Sequence, residues 1–277
     1  MNYIGDSTTK LRFLGCGKNL QDIDDARLYE NTSAFIKAEN DGTNMLLIDC
    51  GKSVIEANKH TGVLSDVDRL ILHITHTHHD HVGGVPELVR LCEDSEIDLS
   101  LLDTQMNNAR RYRKIMAYHG LDKLKKTSAR DAADMLCLRD IQFQSLNHYN
   151  QDLKKYDYHT IGLVIDNEIA YLSDHYDPAV MEFFINALRN KTIKQVCTDT
   201  TEMPVGYAKG HLPFELLCAI CPEWELRSGV TTMHMDGNIS TTAKSENFRT
   251  ADQFLYKRHL PCWPRLPRLA SAENYIA

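Results

Sequence analysis

The sequence predicts an α+β protein: two mixed β-sheets packed face to face, with helices on their outer faces (an αββα sandwich). Three observations carry this. Short apolar runs of strand length, bounded by turn residues, fall into two sets, one in the first hundred residues and one from 141 onward. Helical stretches lie between and after them, which suits outer layers. A 43% apolar share over 277 residues is enough to bury a large core.

In the first set, 11–14, 34–38 and 45–48 read as strands, with Asp41-Gly42 as a hairpin turn between the last two. Asp49-Cys50-Gly51 ends the third strand, and 52–59 reads as a helix. Residues 67–74 read as a strand leading into a histidine cluster. Gly83-Gly84 then gives way to a helix over 86–92, where Pro86 suits a first helical position. A strand at 97–102 precedes a helix with Met106, Ala109, Tyr112 and Met116 on one face. In the second set, 141–146, 160–165 and 169–172 are strands, the last two joined by a tight Asp166-Asn167 turn. A helix at 179–189, a strand at 193–197, a helix at 214–221 and a strand at 230–233 complete the body. Pro261, Pro264 and Pro267 mark residues 248–277 as a C-terminal extension packed on or near a domain spanning 1–247. No internal repeat is visible.

The net charge of −7 argues against a surface that tracks nucleic acid along its whole length. No apolar run approaches the length of a membrane span. Residues 1–6 lack a basic stretch followed by an apolar one, so a soluble, cytoplasmic protein is expected. The eight cysteines then read as reduced thiols, and the Cys218/Cys221 pair on an apolar helix as core thiols.

His76-Thr77-His78-His79-Asp80-His81 places four histidines and an aspartate within six residues, at the end of an apolar strand. Imidazole and carboxylate are preferred ligands of zinc and similar divalent ions. Alternating ligands on one tight turn cannot all reach a single ion comfortably, so the spacing favours two adjacent ions. Thr77 and His79 occupy the variable positions and are expected to face away from them. His73, on the preceding strand, is expected to be a hydrogen-bonded structural residue.

These residues resemble the His-x-His-x-Asp-His signature of the metallo-β-lactamase fold, and the resemblance extends over most of the chain. Asp49 resembles that family's buried aspartate upstream of the cluster, which orients a metal-bound histidine. His148 resembles its third metal-binding motif, Asp174 the aspartate that bridges two ions, and His234 the final metal histidine. The resemblance therefore implies one site of His76, His78, His148 and Asp174 and a second of Asp80, His81, Asp174 and His234. It implies two divalent ions as cofactors, zinc first, with manganese or iron accepted. With two bound carboxylates and one bridging hydroxide, such a centre keeps one formal positive charge, which suits an anionic phosphodiester.

Val196-Cys197-Thr198-Asp199-Thr200-Thr201-Glu202, followed by Gly210-His211-Leu212-Pro213, is similar to the phosphodiesterase branch that includes ribonuclease Z. There the turn histidine touches the phosphate, so His211 is the expected proton donor, with Asp80 as an alternative. Only 26 positions separate His148 from Asp174, too few for the protruding arm of transfer-RNA processing members. Small-substrate relatives lack that arm too, among them the phosphodiesterases of phosphonate metabolism and the anti-Pycsar proteins that degrade cyclic nucleotides. The expected activity is hydrolysis of a 3′,5′-cyclic nucleotide to a linear monophosphate. Two alternatives remain: ribonuclease Z-like processing of RNA ends, and a metal-bound protein that sequesters a nucleotide without turnover. Residues 105–130 hold eight Lys or Arg and one acid. Arg110, Tyr112 and Arg113 are substrate-contact candidates there, beside Arg111, Lys114, Tyr118 and His119. The resemblance also implies a homodimer.

Overall fold

The structure, a computed structural model, describes residues 11–15, 31–38, 42–104, 114, 116–150, 155–205, 210–234 and 239–254. One sheet contains β1 (Arg12–Gly15), β2 (Ser33–Lys37), β3 (Asn44–Ile48), β4 (Arg69–His73), β5 (Asp98–Leu102) and β6 (Lys125–Thr127), side by side in chain order. The other contains β7 (Ile141–Asn150), β8 (Lys155–Ile165), β9 (Ile169–Tyr171), β10 (Gln195–Asp199), β11 (Val230–Met233) and β12 (Arg249–Thr250), also in chain order. In each sheet the first three strands pair antiparallel and the next three join in parallel. The two sheets share one pairing plan although the sequence shows no repeat. Both β-hairpin signals hold. Gly42 turns with φ 70° between β2 and β3, and Asp166 and Asn167, at φ 56° and 55°, turn between β8 and β9.

Strand alternation explains the layering. In β3, Leu46 and Ile48 join Phe13, Ile71, Tyr171, Cys197 and Met233 in the cluster between the sheets. Met45 and Leu47 point the other way, into a cluster with Val54 and Ile55 of α1 (Lys52–Thr61) and Val85 and Leu88 of α3 (Val85–Asp94). Between these helices lies the short α2 (His79–Val82), and after β6 comes α4 (Ala129–Met135). On the second sheet's outer face, Ala170, Val196 and Val230 meet Met181 and Ile185 of α5 (Pro178–Arg189) and Leu217 of α6 (Phe214–Ile220). Two further helices follow, α7 (Trp224–Arg227) and α8 (Ile239–Ser245). Strands covered on both faces read as continuous apolar runs, and that is how 45–48 and 70–72 look in the sequence.

Two strand boundaries change. The strand expected at 193–197 is β10, shifted forward two residues, because Lys194 and Gln195 are held by the Glu168 carbonyl and pairing with β11 continues through Asp199. The strand expected to stop at 146 runs on to Asn150, since β8 pairs with it back to Lys155, so His148 lies within a strand. Lys125, Lys126 and Thr127, to which the sequence assigned no element, form β6 at the edge of the first sheet. Within 248–254, Phe248 and Ala251 are buried, and β12 pairs with β11. Residues 255–277 lie outside the described residues. Among the described residues, no helix is long and apolar enough to cross a membrane.

Candidate metal centre

In open parallel sheets, functional groups gather at the carboxyl ends of the strands. Here β3 leads to Asp49, β4 feeds the histidine loop, β9 leads to Asp174, β10 ends in Asp199 and β11 leads to His234. Three residues at these ends, Asp49, Ser173 and His234, have left-handed backbone conformations with φ of 62°, 56° and 51°. The histidine loop is pinned to the turn after β3 by backbone hydrogen bonds. The Cys50 amide donates to the His81 carbonyl at 2.7 Å, and the Gly84 amide to the Cys50 carbonyl at 2.9 Å. Gly51 permits this approach, because a Cβ there would sit 2.0 Å from the Asp80 carbonyl oxygen.

Among the described residues, two overlapping groups of the expected ligand atoms result, His76, His78 and Asp174 in one and Asp80, His81, Asp174 and His234 in the other, and a third joins Asp174 to Asp199 and His211, each within 4.8 Å. His76 Nε2 stands 3.0 Å from His78 Nδ1 and 3.8 Å from Asp174 Oδ2. His81 Nε2 is 3.3 Å from Asp174 Oδ2 and 3.6 Å from Asp80 Oδ2, while His234 reaches Asp174 at 3.5 Å and Asp80 at 3.6 Å. Ligands about 2 Å from a tetrahedral ion stand about 3.3 Å from one another, so these gaps match what such an ion spans. His81 Nε2 and both Asp174 carboxylate oxygens are buried with no hydrogen-bond partner among the described residues. Buried groups of this kind need a counterpart, and a cation fits the donor set.

The electrostatics agree. Burial works against ionisation of Asp174, but His234, His81 and His211 hold its carboxyl well below the usual range. Asp80 is lowered likewise: burial opposes, and His81 and His234 win. Burial lowers His78 and His234, keeping their imidazoles neutral, as metal binding requires. His81 is the exception. Burial is outweighed by Asp174 and Asp49, and its pKa rises well above normal, with Nδ1 2.8 Å from Asp49 Oδ2. His73 behaves as a structural residue, its Nε2 2.9 Å from the Ile161 carbonyl.

His211 lies on the solvent side, its side chain 25% exposed, and stacks on His234 at 4.8 Å. Its Nδ1 is 2.8 Å from Asp199 Oδ2. Burial lowers the His211 pKa, but the Asp199 hydrogen bond and the Asp174 charge raise it to about 9. Burial lifts Asp199 to about 6 against the pull of His211.

The expected residues His76, His78, Asp80, His81, Asp174, His211 and His234 thus converge, with Asp49 behind them. His148 is placed in β7 opposite Tyr158, but its side chain lies outside the described residues. Arg110, Tyr112 and Arg113 lie outside them as well. Sequence reasoning missed Asp199 as a partner of His211. The sequence hint was its place in the acidic-threonine stretch before Gly210-His211. It also missed Thr32, whose hydroxyl is 3.2 Å from His234 Nδ1.

Comparison with solved structures supports the fold. A metallo-β-lactamase fold protein, YhfI from Bacillus subtilis, superposes with a TM-score of 0.58 at 15% identity, over 89% of this chain and 92% of that one. The short form of human tRNase Z gives 0.53 at 12% identity, over 88% and 97%. A diphosphatase of the PhnP family gives 0.52 at 14%, over 81% and 85%. At these identities the likeness concerns fold alone, which is the metallo-β-lactamase fold. In sequence, anti-Pycsar proteins Apyc1 from Bacillus phages vB_BsuM-Goe3 and BSP38 are 40% and 38% identical over 82 residues, 29% of this chain and 28% of each relative. The family model for anti-Pycsar protein Apyc1 matches residues 9–258, so the chain belongs to that family.

Proposed function

We propose that this chain is a metal-dependent phosphodiesterase with two ions, zinc by preference, that opens a 3′,5′-cyclic nucleotide to the linear monophosphate. One ion would be held by His76, His78, His148 and Asp174, the other by Asp80, His81, Asp174 and His234. The observation that carries the reading is His211, held by Asp199 on the solvent side of the ligand cluster. Bound there, divalent ions supply a lowered water pKa and positive charge toward phosphoryl oxygens.

The chain's own residues supply the rest. Asp199 engages Nδ1 of His211, so the proton His211 presents to a leaving oxygen is the one on Nε2. Stacking on His234 fixes the plane of that ring. Asp80, 23% exposed, can exchange protons with solvent at the same edge. Asp49 orients His81 from behind. Membership of a family named for anti-Pycsar activity supports a small substrate, as does the short stretch of 26 positions from His148 to Asp174, most of it in β8, β9 and the turn between them.

The test is product analysis after zinc-loaded protein meets a panel of 3′,5′-cyclic mononucleotides, with His211→Ala alongside. Linear monophosphates that disappear in the variant are expected. A metal-loaded wild type that converts none of them overturns the substrate assignment, and RNA 3′ ends become the next substrates. A nucleotide bound tightly and recovered intact identifies a sequestering protein.

A further inference from the structure

Thr75 lies immediately before the histidine cluster and is buried. Three polar atoms surround its hydroxyl: Asp49 Oδ2 at 2.7 Å, Ser173 Oγ at 2.9 Å and His76 Nδ1 at 3.2 Å. A hydroxyl has one proton to give and two lone pairs to receive with. The Asp49 carboxylate only accepts, taking the Thr75 amide on Oδ1 at 2.8 Å and His81 Nδ1 on Oδ2 at 2.8 Å. The Thr75 proton therefore goes to Asp49. Its other two neighbours must then donate: the Ser173 hydroxyl and the N–H at His76 Nδ1. His76 keeps its lone pair on Nε2, the atom that faces His78 and Asp174.

We infer that Thr75 is a positioning residue that relays the acceptor character of Asp49 to His76. One buried carboxylate then sets the ring orientation of a histidine in each ligand group, His81 directly and His76 through Thr75. Ser173 extends the relay to the opposite sheet, next to Asp174. The inference rests on the metal-binding reading for its purpose, though the hydrogen-bond directions follow from the donor inventory alone.

Two measurements test it. Long-range proton–nitrogen correlation on labelled protein, metal-free and zinc-loaded, reports the His76 tautomer, and calorimetric titration with zinc reports each affinity. Wild type is expected to carry the proton on His76 Nδ1. In Thr75→Val, that single tautomer is lost and one zinc site weakens about 10- to 100-fold. Thr75→Ser restores both, which a purely space-filling role would not do. Wild-type His76 protonated on Nε2 in the metal-free protein overturns the relay, whatever the variants do. So does Thr75→Val with an unchanged tautomer and two wild-type affinities. A wild type that binds no zinc, with His76 protonated on Nδ1, overturns the metal reading and leaves the relay standing.

Discussion

Replacing Gly51 with alanine would place a methyl carbon 2.0 Å from the Asp80 carbonyl oxygen and 2.4 Å from Asn31 Cβ. Real Cβ contacts essentially never fall below 3.0 Å, so the Asp80 backbone must withdraw by about 1 Å. It has little slack. The next residue's carbonyl accepts from Cys50, and Asn31 is locked to Ser53 by reciprocal bonds of 2.9 Å each. The φ of Gly51 is −69°, so the effect is steric and not a matter of backbone conformation. Overpacking of this kind costs about 1–3 kcal/mol in stability. A shift of about 1 Å in Asp80 and His81 misplaces two ligands of one group, a displacement that can lower turnover about 100-fold. Gly51→Ala should therefore melt a few degrees lower without metal, yet lose zinc at one site far more severely than that. Calorimetric zinc titration beside metal-free thermal melts separates the two effects. A variant with wild-type zinc affinities would refute the claim that close approach at Gly51 places Asp80.

Asp199→Asn leaves the two groups around His76 and His81 intact but weakens the hold on His211, so turnover of the phosphodiester should fall about 100-fold or more with the metal content of those two groups unchanged; a fall accompanied by zinc loss would contradict this. Chelation should abolish turnover and lower the melting temperature, since an ion at a hundred times its dissociation constant contributes about 2.7 kcal/mol. Equal melts with and without chelator would count against a metal-linked fold. Burial lowers the pKa of His73 in the native protein, so below about pH 6.5 the unfolded chain binds a proton that the native one refuses. Stability from this residue is complete above pH 6.5 and falls by up to about 1.4 kcal/mol per unit on acidification. Denaturant titration of metal-free protein from pH 7 to 5 should show a shallower decline in His73→Gln.

The layers were legible because strands buried on both faces leave continuous apolar runs, and most candidate ligands were legible because four of them, His76, His78, Asp80 and His81, crowd into one short motif at a strand end. Boundaries were less so. Strand β10 contains Thr198 and Asp199, polar residues that propensity would place in a loop, and their inclusion depends on register with β11 that no local signal encodes. The role of Asp199 followed from that register. The edge strand β6, Lys125-Lys126-Thr127, carries no apolar run at all. Its assignment comes from pairing with β5, a contact across 25 residues of chain. The hydroxyls of Thr75 and Ser173 were invisible for another reason: their significance lies in a meeting across the two sheets, 98 residues apart.

Ser173 also separates two contributions that usually travel together. Of the three strand-end residues with positive φ, aspartate and histidine tolerate the left-handed region better than most residues, and serine has no such advantage. A non-glycine residue there costs about 1–2 kcal/mol, so its presence calls for a reason in the side chain, and among the described residues its hydroxyl meets that of Thr75 at 2.9 Å. Ser173→Gly and Ser173→Ala both remove that hydroxyl, but only glycine relieves the backbone. Allowing for the larger entropy glycine loses on folding, about 0.4–1 kcal/mol, the glycine variant should be the more stable of the pair by about 0.5–1 kcal/mol. Zinc affinity should fall severalfold and equally in both, because it follows the hydroxyl. Denaturant melts and zinc titrations of the two proteins decide the matter. Alanine more stable than glycine would remove the strain argument, and unequal zinc affinities would transfer control of the metal group from the Ser173 hydroxyl to the backbone beneath it.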